Sequence, residues 1–350
     1  MQSPVRAALL GASGYTGADL LRLGVGHPNL RFVALTANTH AGKPMAEVFP
    51  HLAGAGLPDL VVNEAVDWSG VDVVFCGLPH ATSQALVKDV LAANPRIRVI
   101  DMGADFRFRD PESFSTVYGV PHAAPELQSG VAYGLTEHNR DAIRSAQIIA
   151  CPGCYPTATL LALLPLVKSG AIETDDIIID AKSGVSGAGR SPKQNMLMAE
   201  AGESVTAYGV GTHRHAPEIE QEIGRAAGAR VTVNFTPHLI PMSRGELVTC
   251  HVRLKHAENA DAVRAALREA YSDEPFIRVA EKGVIPATGH VRGSNFCVIN
   301  VFNDRIPGRV IVIGAIDNLV KGSAGQALQN FNLAFGFPEA TAISALPLFP

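Results

Sequence analysis

The sequence predicts an α/β protein: a Rossmann dinucleotide-binding domain joined to an α+β domain with a mostly antiparallel sheet. Three observations carry that expectation. Short apolar runs alternate with helical stretches through the first half of the chain. A glycine loop, Gly11-Ala-Ser13-Gly14-Tyr15-Thr16-Gly17, separates the first apolar run from the first helical stretch. Beyond it, several runs in the second half alternate apolar with polar residues, as strands with one covered face do.

Length and composition agree. The 350 residues suit two domains, and 47% hydrophobic against 18% charged residues is ample for sizeable cores. A net charge of −4 predicts no general attraction to nucleic acid or to an anionic membrane. No apolar run approaches the ~20 residues of a membrane helix. The longest, Leu160 to Val167, is short and contains Pro165. The first residues lack the charged and apolar regions of a signal peptide. Five cysteines show no disulfide framework, so a reducing cytoplasm is expected.

In the first half, Val5 to Leu10 reads as a strand and Ala18 to Val25 as a helix, with the glycine loop between them. That context turns a glycine motif into a dinucleotide site. The glycines let the backbone approach a pyrophosphate, and the helix start favours its charge. The spacing is G-x-x-G-x-x-G rather than G-x-G-x-x-G. A second strand, Arg31 to Thr36, ends without the carboxylate that usually meets the ribose hydroxyls of NAD. A 2′-phosphate would not be repelled there, and Asn38, His40 or Lys43 could meet it, so NADP is the expected cofactor. Solvated loop polar groups are the plainer reading of those three residues.

Val71 to Cys76 and Val99 to Asp101 continue the alternation, with a helix from Ala81 to Ala92 between them. Ligands of open α/β sheets collect at the carboxyl ends of strands, which makes Pro79, His80 and Arg107 candidate neighbours. A structural ion pair of Arg107 with Asp101, Asp105 or Asp110 competes with that reading. Gln147 to Ala150 reads as the last strand of the half.

Cys151-Pro-Gly-Cys154-Tyr-Pro-Thr157 follows. A small-residue turn delivers Cys154 to the start of an apolar helix, expected from Pro156 to about Leu166. At a helix start the dipole and the unpaired N–H groups favour thiolate, the reactive form of the nucleophile. The same N–H groups can hold an oxyanion formed when the sulfur attacks a carbonyl.

In the second half Ile177 to Ala181 reads as a strand. It leads into Lys182-Ser183-Gly184-Val-Ser186-Gly187-Ala-Gly-Arg190, an anion-binding loop or a flexible crossing. Strands are expected at Arg230 to Phe235, Leu247 to Leu254 and Phe296 to Phe302, and a helix at Asp261 to Tyr271. Thr212-His213-Arg214-His215-Ala-Pro217-Glu218 places a histidine just before a helix and a carboxylate in its first turn. Such a pair can act as an acid–base unit, although two histidines can also lie together on a loop by chance.

Other chemistries fit less well. A redox disulfide between Cys151 and Cys154 wants a small thioredoxin-like setting. Zinc wants a second close-spaced ligand pair that the sequence lacks, so no metal is expected. A non-catalytic NADP-binding sensor would have no use for a positioned thiol.

With these segments the chain resembles the N-acetyl-γ-glutamyl-phosphate reductase family over essentially its whole length. The likeness rests on Gly11–Gly17, Ala41-Gly-Lys43, Ala104-Asp-Phe-Arg107, Pro152-Gly-Cys-Tyr-Pro-Thr157, Ser183–Gly189, His213–Ile219 and Asp317-Asn-Leu-Val-Lys-Gly322. The resemblance implies NADPH-dependent reduction of N-acetyl-γ-glutamyl phosphate to N-acetyl-glutamate 5-semialdehyde, in arginine biosynthesis, through a thioester on Cys154. It leaves Cys151 incidental. It implies His215 as base, oriented by Glu218, with His213 on the substrate, although the two histidines could be exchanged.

It also implies cofactor contacts at Gly11, Ser13, Gly14, Tyr15, Thr16, Gly17, Thr36, Asn38, Lys43, Pro79, Ser183, Gly184, Ser186, Gly187 and Asn318. Arg107, Lys182, Arg190 and Arg214 are the cations expected to meet an anionic substrate. The implied domains are residues 1–150 with 318–350 for NADP, and 151–317 for catalysis and dimerisation, in a homodimer or homotetramer. A one-carbon-longer acyl phosphate of lysine biosynthesis is the alternative substrate, since one methylene discriminates by only ~1–3 kcal/mol.

Overall fold

The structure is a computed structural model that describes residues 3–256 and 259–349. Met1, Gln2, Ala257, Glu258 and Pro350, which the expected domain spans include, lie outside the described residues. The chain forms two compact units, Met1–Gly153 with Ser323–Ser344, and Cys154–Gly322 with Ala345–Pro350. The division falls at Cys154 and Ser323. The tail from Ala345 joins the second unit, whereas the sequence reading assigned all of 318–350 to the first.

The first unit is built on a seven-stranded sheet: β1 (Val5–Leu10), β2 (Leu30–Thr36), β3 (Leu60–Val61), β4 (Val73–Cys76), β5 (Arg98–Asp101), β6 (Val131–Tyr133) and β7 (Ile148–Ala150). The order is β3-β2-β1-β4-β5-β7-β6, and every pairing is parallel. Parallel strands are covered on both faces, and β4 is accordingly buried at all four positions. Helix Tyr15–Gly24 buries Leu20, Leu21 and Leu23. It starts three residues before the expected Ala18, so the last residues of the glycine motif are already helical. Gly24 is required at its end, since a Cβ there would come 2.9 Å from the Phe32 ring.

Helix Gly325–Ala334 completes this unit, with every residue from Gly325 to Leu333 buried. Two of its buried amides, on Asn330 and Asn332, are paired inside. Asn330 Nδ2 donates to the Gly134 carbonyl at 2.8 Å, and its Oδ1 accepts from Thr136 Oγ1 at 2.7 Å. Asn332 Oδ1 meets His27 Nε2 at 2.8 Å. Buried polar groups are tolerated when paired in this way.

The second unit holds β8 (Ile177–Gly184), β9 (Thr206–Ala207), β10 (Val233–Ile240), β11 (Glu246–Arg253), β12 (Ile277–Val279), β13 (Cys297–Asn303) and β14 (Arg309–Ile316). They form a mixed sheet of order β12-β13-β14-β11-β8-β10-β9. β8 with β10 and β12 with β13 run parallel, and the other pairings are antiparallel. β8 and β11 alternate buried and half-buried residues along most of their lengths.

Helix Cys154–Lys168 covers the buried face of this sheet. A Cβ on Gly314 of β14 would meet Val248 of β11 at 3.2 Å and Ala162 of the helix at 3.8 Å. The helix starts at Cys154 itself, two residues earlier than expected, and continues through Pro165. A proline inside a helix leaves the carbonyl four residues earlier without its usual N–H partner. Here that carbonyl, on Leu161, accepts the Tyr271 hydroxyl at 2.6 Å.

Candidate active site

The expected site residues fall into two groups, one in each unit. In the first unit the glycine loop closes with Gly14 N–H donating to the Gly11 carbonyl at 3.2 Å. Gly11 has φ +77°, and a Cβ there would sit 2.6 Å from the Gly77 carbonyl oxygen. At Gly17 a Cβ would come 2.7 Å from the Ala12 oxygen. These two glycines let the loop, the helix and β4's exit pack closely. Gly14 caps the helix without a side chain, and the first turn holds no acidic residue. Nothing there opposes an anion, and Ser13, Gly14 and Thr16 are half-exposed beside exposed Tyr15. A dinucleotide pyrophosphate fits that chemistry.

Asn38 and Lys43 are exposed past the end of β2. Thr36 is placed otherwise: it is 1% exposed, and its hydroxyl accepts the Gly11 N–H at 3.4 Å. It shapes the loop rather than facing a ligand. Pro79 is exposed, and its carbonyl accepts from Thr82 Oγ1 at 2.5 Å.

Arg107 is buried. Its Nε donates to the Cys151 carbonyl at 2.9 Å and one terminal nitrogen to the Met102 carbonyl at 3.1 Å. Those contacts brace the turn that ends this unit, and the guanidinium charge also acts on Asp101, one of the expected ion-pair partners. Cys151 is fully buried and accepts from the Asn330 amide at 3.5 Å.

The second unit gathers the reactive groups. All five cysteines lie among the described residues as free thiols, and Cys154 alone among them is not buried. It is the first residue of its helix, and Gly322 leaves it room: a Cβ on Gly322 would come 2.8 Å from that of Cys154. The next residue, Tyr155, has its ring packed edge-on against His213 and His215, at 5.7 and 5.8 Å. The two imidazoles are 4.8 Å apart, and Tyr208 packs on His213 at 5.2 Å. The Tyr208 hydroxyl donates to that of Tyr155 at 3.2 Å. Burial pushes both phenols well above their usual range.

His213 Nδ1 accepts the His215 backbone N–H at 3.2 Å, which leaves the proton of the neutral ring on Nε2. Burial, aided by the Arg214 charge, lowers His213 to about 4. His215 opens helix His215–Ala227, and Glu218 is buried three residues on, within the same first turn. Residues three apart share a helix face.

The loop after β8 forms one corner with Asn318. The Asn318 amide donates to Ser186 Oγ at 3.0 Å, and its oxygen accepts from Gly245 N–H at 2.8 Å. Gly184 allows close approach, because a Cβ would meet Met242 O at 2.8 Å. Gly187 lies against Ser183 Oγ and the Asn318 amide, with an added Cβ at 3.1 and 3.7 Å. Ser183, Gly184, Ser186, Gly187 and Asn318 are thus brought together. Arg190 and Arg214 are exposed.

Lys182 does not join them. Its neighbours Ala181 and Ser183 are buried on the helix-covered side, so Lys182 points to the opposite face of the sheet. There it pairs with Asp180 at 2.9 Å, beside His238, which is 3.2 Å from the same carboxylate. The alternation of β8 extends three residues past the expected end at Ala181, and it turns this cation away.

Residues 6–146 match the family model described as the semialdehyde dehydrogenase NAD binding domain, and residues 154–318 match its dimerisation domain. The N-acetyl-gamma-glutamyl-phosphate reductase of Rhodospirillum rubrum is 54% identical over 352 residues, covering 100% of both chains. The chain belongs to the N-acetyl-gamma-glutamyl-phosphate reductase family. The Paracoccus denitrificans reductase is 51% identical over 99% of both chains. A probable chloroplastic reductase of Arabidopsis thaliana is 49% identical, covering 100% of this chain and 86% of that one. Among solved structures, aspartate semialdehyde dehydrogenase II of Vibrio cholerae shares the fold at TM-score 0.74 and 18% identity, covering 96% and 99% of the two chains. The Candida albicans aspartate semialdehyde dehydrogenase with NADP matches at TM-score 0.70 and 17% identity, covering 95% and 98%.

Two groups of this reductase-family site had no signal in the sequence. Tyr208 lies in a stretch without periodicity. Glu246 looks like an ordinary residue before the strand expected from Leu247, yet it is completely buried. Among the described residues no cluster of three or more His, Cys, Asp or Glu could hold a metal ion, and no helix is long and apolar enough to cross a membrane.

Proposed function

We propose that this chain reduces N-acetyl-γ-glutamyl phosphate to N-acetyl-glutamate 5-semialdehyde with NADPH, in arginine biosynthesis, with Cys154 as the nucleophile. One observation carries the reading. Cys154 is the cysteine left open to solvent at a helix start, with both candidate histidines packed on the next side chain. The relatives named for this substrate lend it support.

His215 takes the thiol proton and the Cys154 sulfur attacks the acyl phosphate. Phosphate leaves, and a thioester remains on Cys154. Bound NADPH supplies the hydride that reduces that thioester. The N–H groups of the helix start stabilise the thiohemiacetal oxyanion on Cys154. Its collapse frees the aldehyde and restores the thiolate. Glu218 orients His215. His213, held neutral with its proton on Nε2, is suited to donate a hydrogen bond to the substrate rather than to act as base at neutral pH.

The residues 1–150 and 318–350 form the NADP-binding domain in this reading. Exposed Asn38 and Lys43, with no carboxylate at the end of β2, favour the 2′-phosphate. Ser183, Ser186, Gly187 and Asn318 line the nicotinamide end, and Arg190 and Arg214 meet the anionic substrate. Residues 151–317 supply catalysis and the contacts of a cytoplasmic homodimer or homotetramer, as the name of the matching family model suggests.

The deciding experiment follows NADP reduction in the reverse direction, with phosphate and N-acetyl-glutamate 5-semialdehyde. Aspartate semialdehyde and the one-carbon-longer homologue run beside it. Preference for either competitor overturns the substrate. Cofactor binding without turnover of any of the three would favour the sensor.

A further inference from the structure

Glu246 opens β11 on the sheet face that helix Cys154–Lys168 covers. Val248, two residues along the same strand, faces that helix through Gly314, and residues two apart on a strand share a face. The carboxyl is completely buried, and among the described residues neither oxygen has a hydrogen-bond partner of ordinary geometry. An ionised carboxylate is costly in such a place. The Cys154 thiol lies close enough to act on it as a hydrogen-bond partner, and the Asp317 carboxylate acts on it through its charge. Tyr155 of the helix and Tyr208 after β9 feel the Glu246 charge as well. Arg244, two residues before it, is turned to Asp317 at 3.6 Å.

We propose that Glu246 is a positioning residue for Cys154, one that keeps its own proton and donates a hydrogen bond to the sulfur once the thiol has ionised. No bond of Glu246 breaks in this role. The thiol proton leaves to the base, and the carboxylic acid O–H then points at the thiolate. A charged carboxylate in the same place would instead repel the thiolate, because two buried like charges disfavour each other. Burial accordingly raises the Glu246 carboxyl to about 8, with the Cys154 thiol pulling it down and Asp317 pushing it up. The consequence is an upper pH limit on the nucleophile set by an acid that never touches the substrate. The role rests on Cys154 being the nucleophile.

The test is the pH dependence of Cys154 alkylation by iodoacetamide, read by mass spectrometry on the full chain. Wild type, Glu246→Gln and Glu246→Leu are compared. Wild type should show two coupled steps. Glu246→Gln still donates but cannot ionise, and should lose the upper step. Glu246→Leu has no donor and should react about tenfold more slowly at pH 7, the equivalent of one unit in the reactive thiol's titration. If the leucine variant does not fold, the glutamine profile decides alone. Superimposable profiles for wild type and Glu246→Gln overturn the proposal. Retained turnover in Cys154→Ser, measured separately, overturns the nucleophile on which it rests.

Discussion

His213 Nδ1 accepts the backbone N–H of His215 at 3.2 Å, so one imidazole of the pair is fixed in tautomer by the chain that carries the other. That bond, with the depressed pKa of His213, separates the two histidines. His215→Asn should lower kcat by roughly 10²–10⁴-fold as loss of a general base. His213→Asn should act mainly on KM. Steady-state kinetics of both variants checks this, and a larger kcat loss in His213→Asn reverses the assignment.

Cys154→Ser should abolish turnover and leave NADPH binding intact, because the cofactor residues of the first unit do not include it. Fluorescence titration of NADPH beside the activity assay measures both at once. Turnover near the wild-type rate would exclude a thioester on Cys154.

Glu246 also makes stability depend on pH. Its folded pKa is raised, to about 8 against the ordinary 4.5, so the folded state binds more protons between those values. Stability should therefore fall as pH rises from about 4.5 to about 8, by on the order of a few kcal/mol. Glu246→Gln should remove that part of the slope. Thermal melts of the two proteins across this range give the comparison, and parallel curves would contradict the burial argument.

Lys182→Met should change KM for the acyl phosphate by less than about fivefold, since the exposed pair it breaks with Asp180 is worth at most ~1 kcal/mol. A much larger rise in KM would return Lys182 to the substrate.

Gly11→Ala should destabilise the fold and weaken NADPH binding together. The residue sits at φ +77°, and its new Cβ would press on the Gly77 carbonyl. Left-handed backbone at a non-glycine residue and the clash each cost about 1 kcal/mol or more. A melt unchanged from wild type would show that the loop has another conformation open to it.

Much of this protein follows from local sequence. The glycine loop between an apolar strand and a helix needs only its own residues, and the parallel unit follows from alternation of strand and helix. The place of Cys154 was legible for the same reason: a small-residue turn before an apolar helix is a local statement, and the helix does start at Cys154. Strand β14 and helix Pro111–Tyr118 went unread, although Asp110 and Pro111 spell out that helix start, with Asp110 accepting from the Ser113 N–H at 2.9 Å.

What local pattern could not decide is direction and company. Whether Lys182 faces the helix or the open side depends on where β8 ends, and partners far along the chain set that register, Leu247 and His238 among them. Arg107 reaches a carbonyl 44 residues away, on Cys151, which no local pattern names. Glu246 is one charged residue among many until its strand is laid beneath a helix that begins 92 residues earlier. The physical reason is common to all three. Periodicity tells which residues can be buried together, but burial against a particular partner changes a side chain's charge and role, and only the tertiary structure chooses that partner.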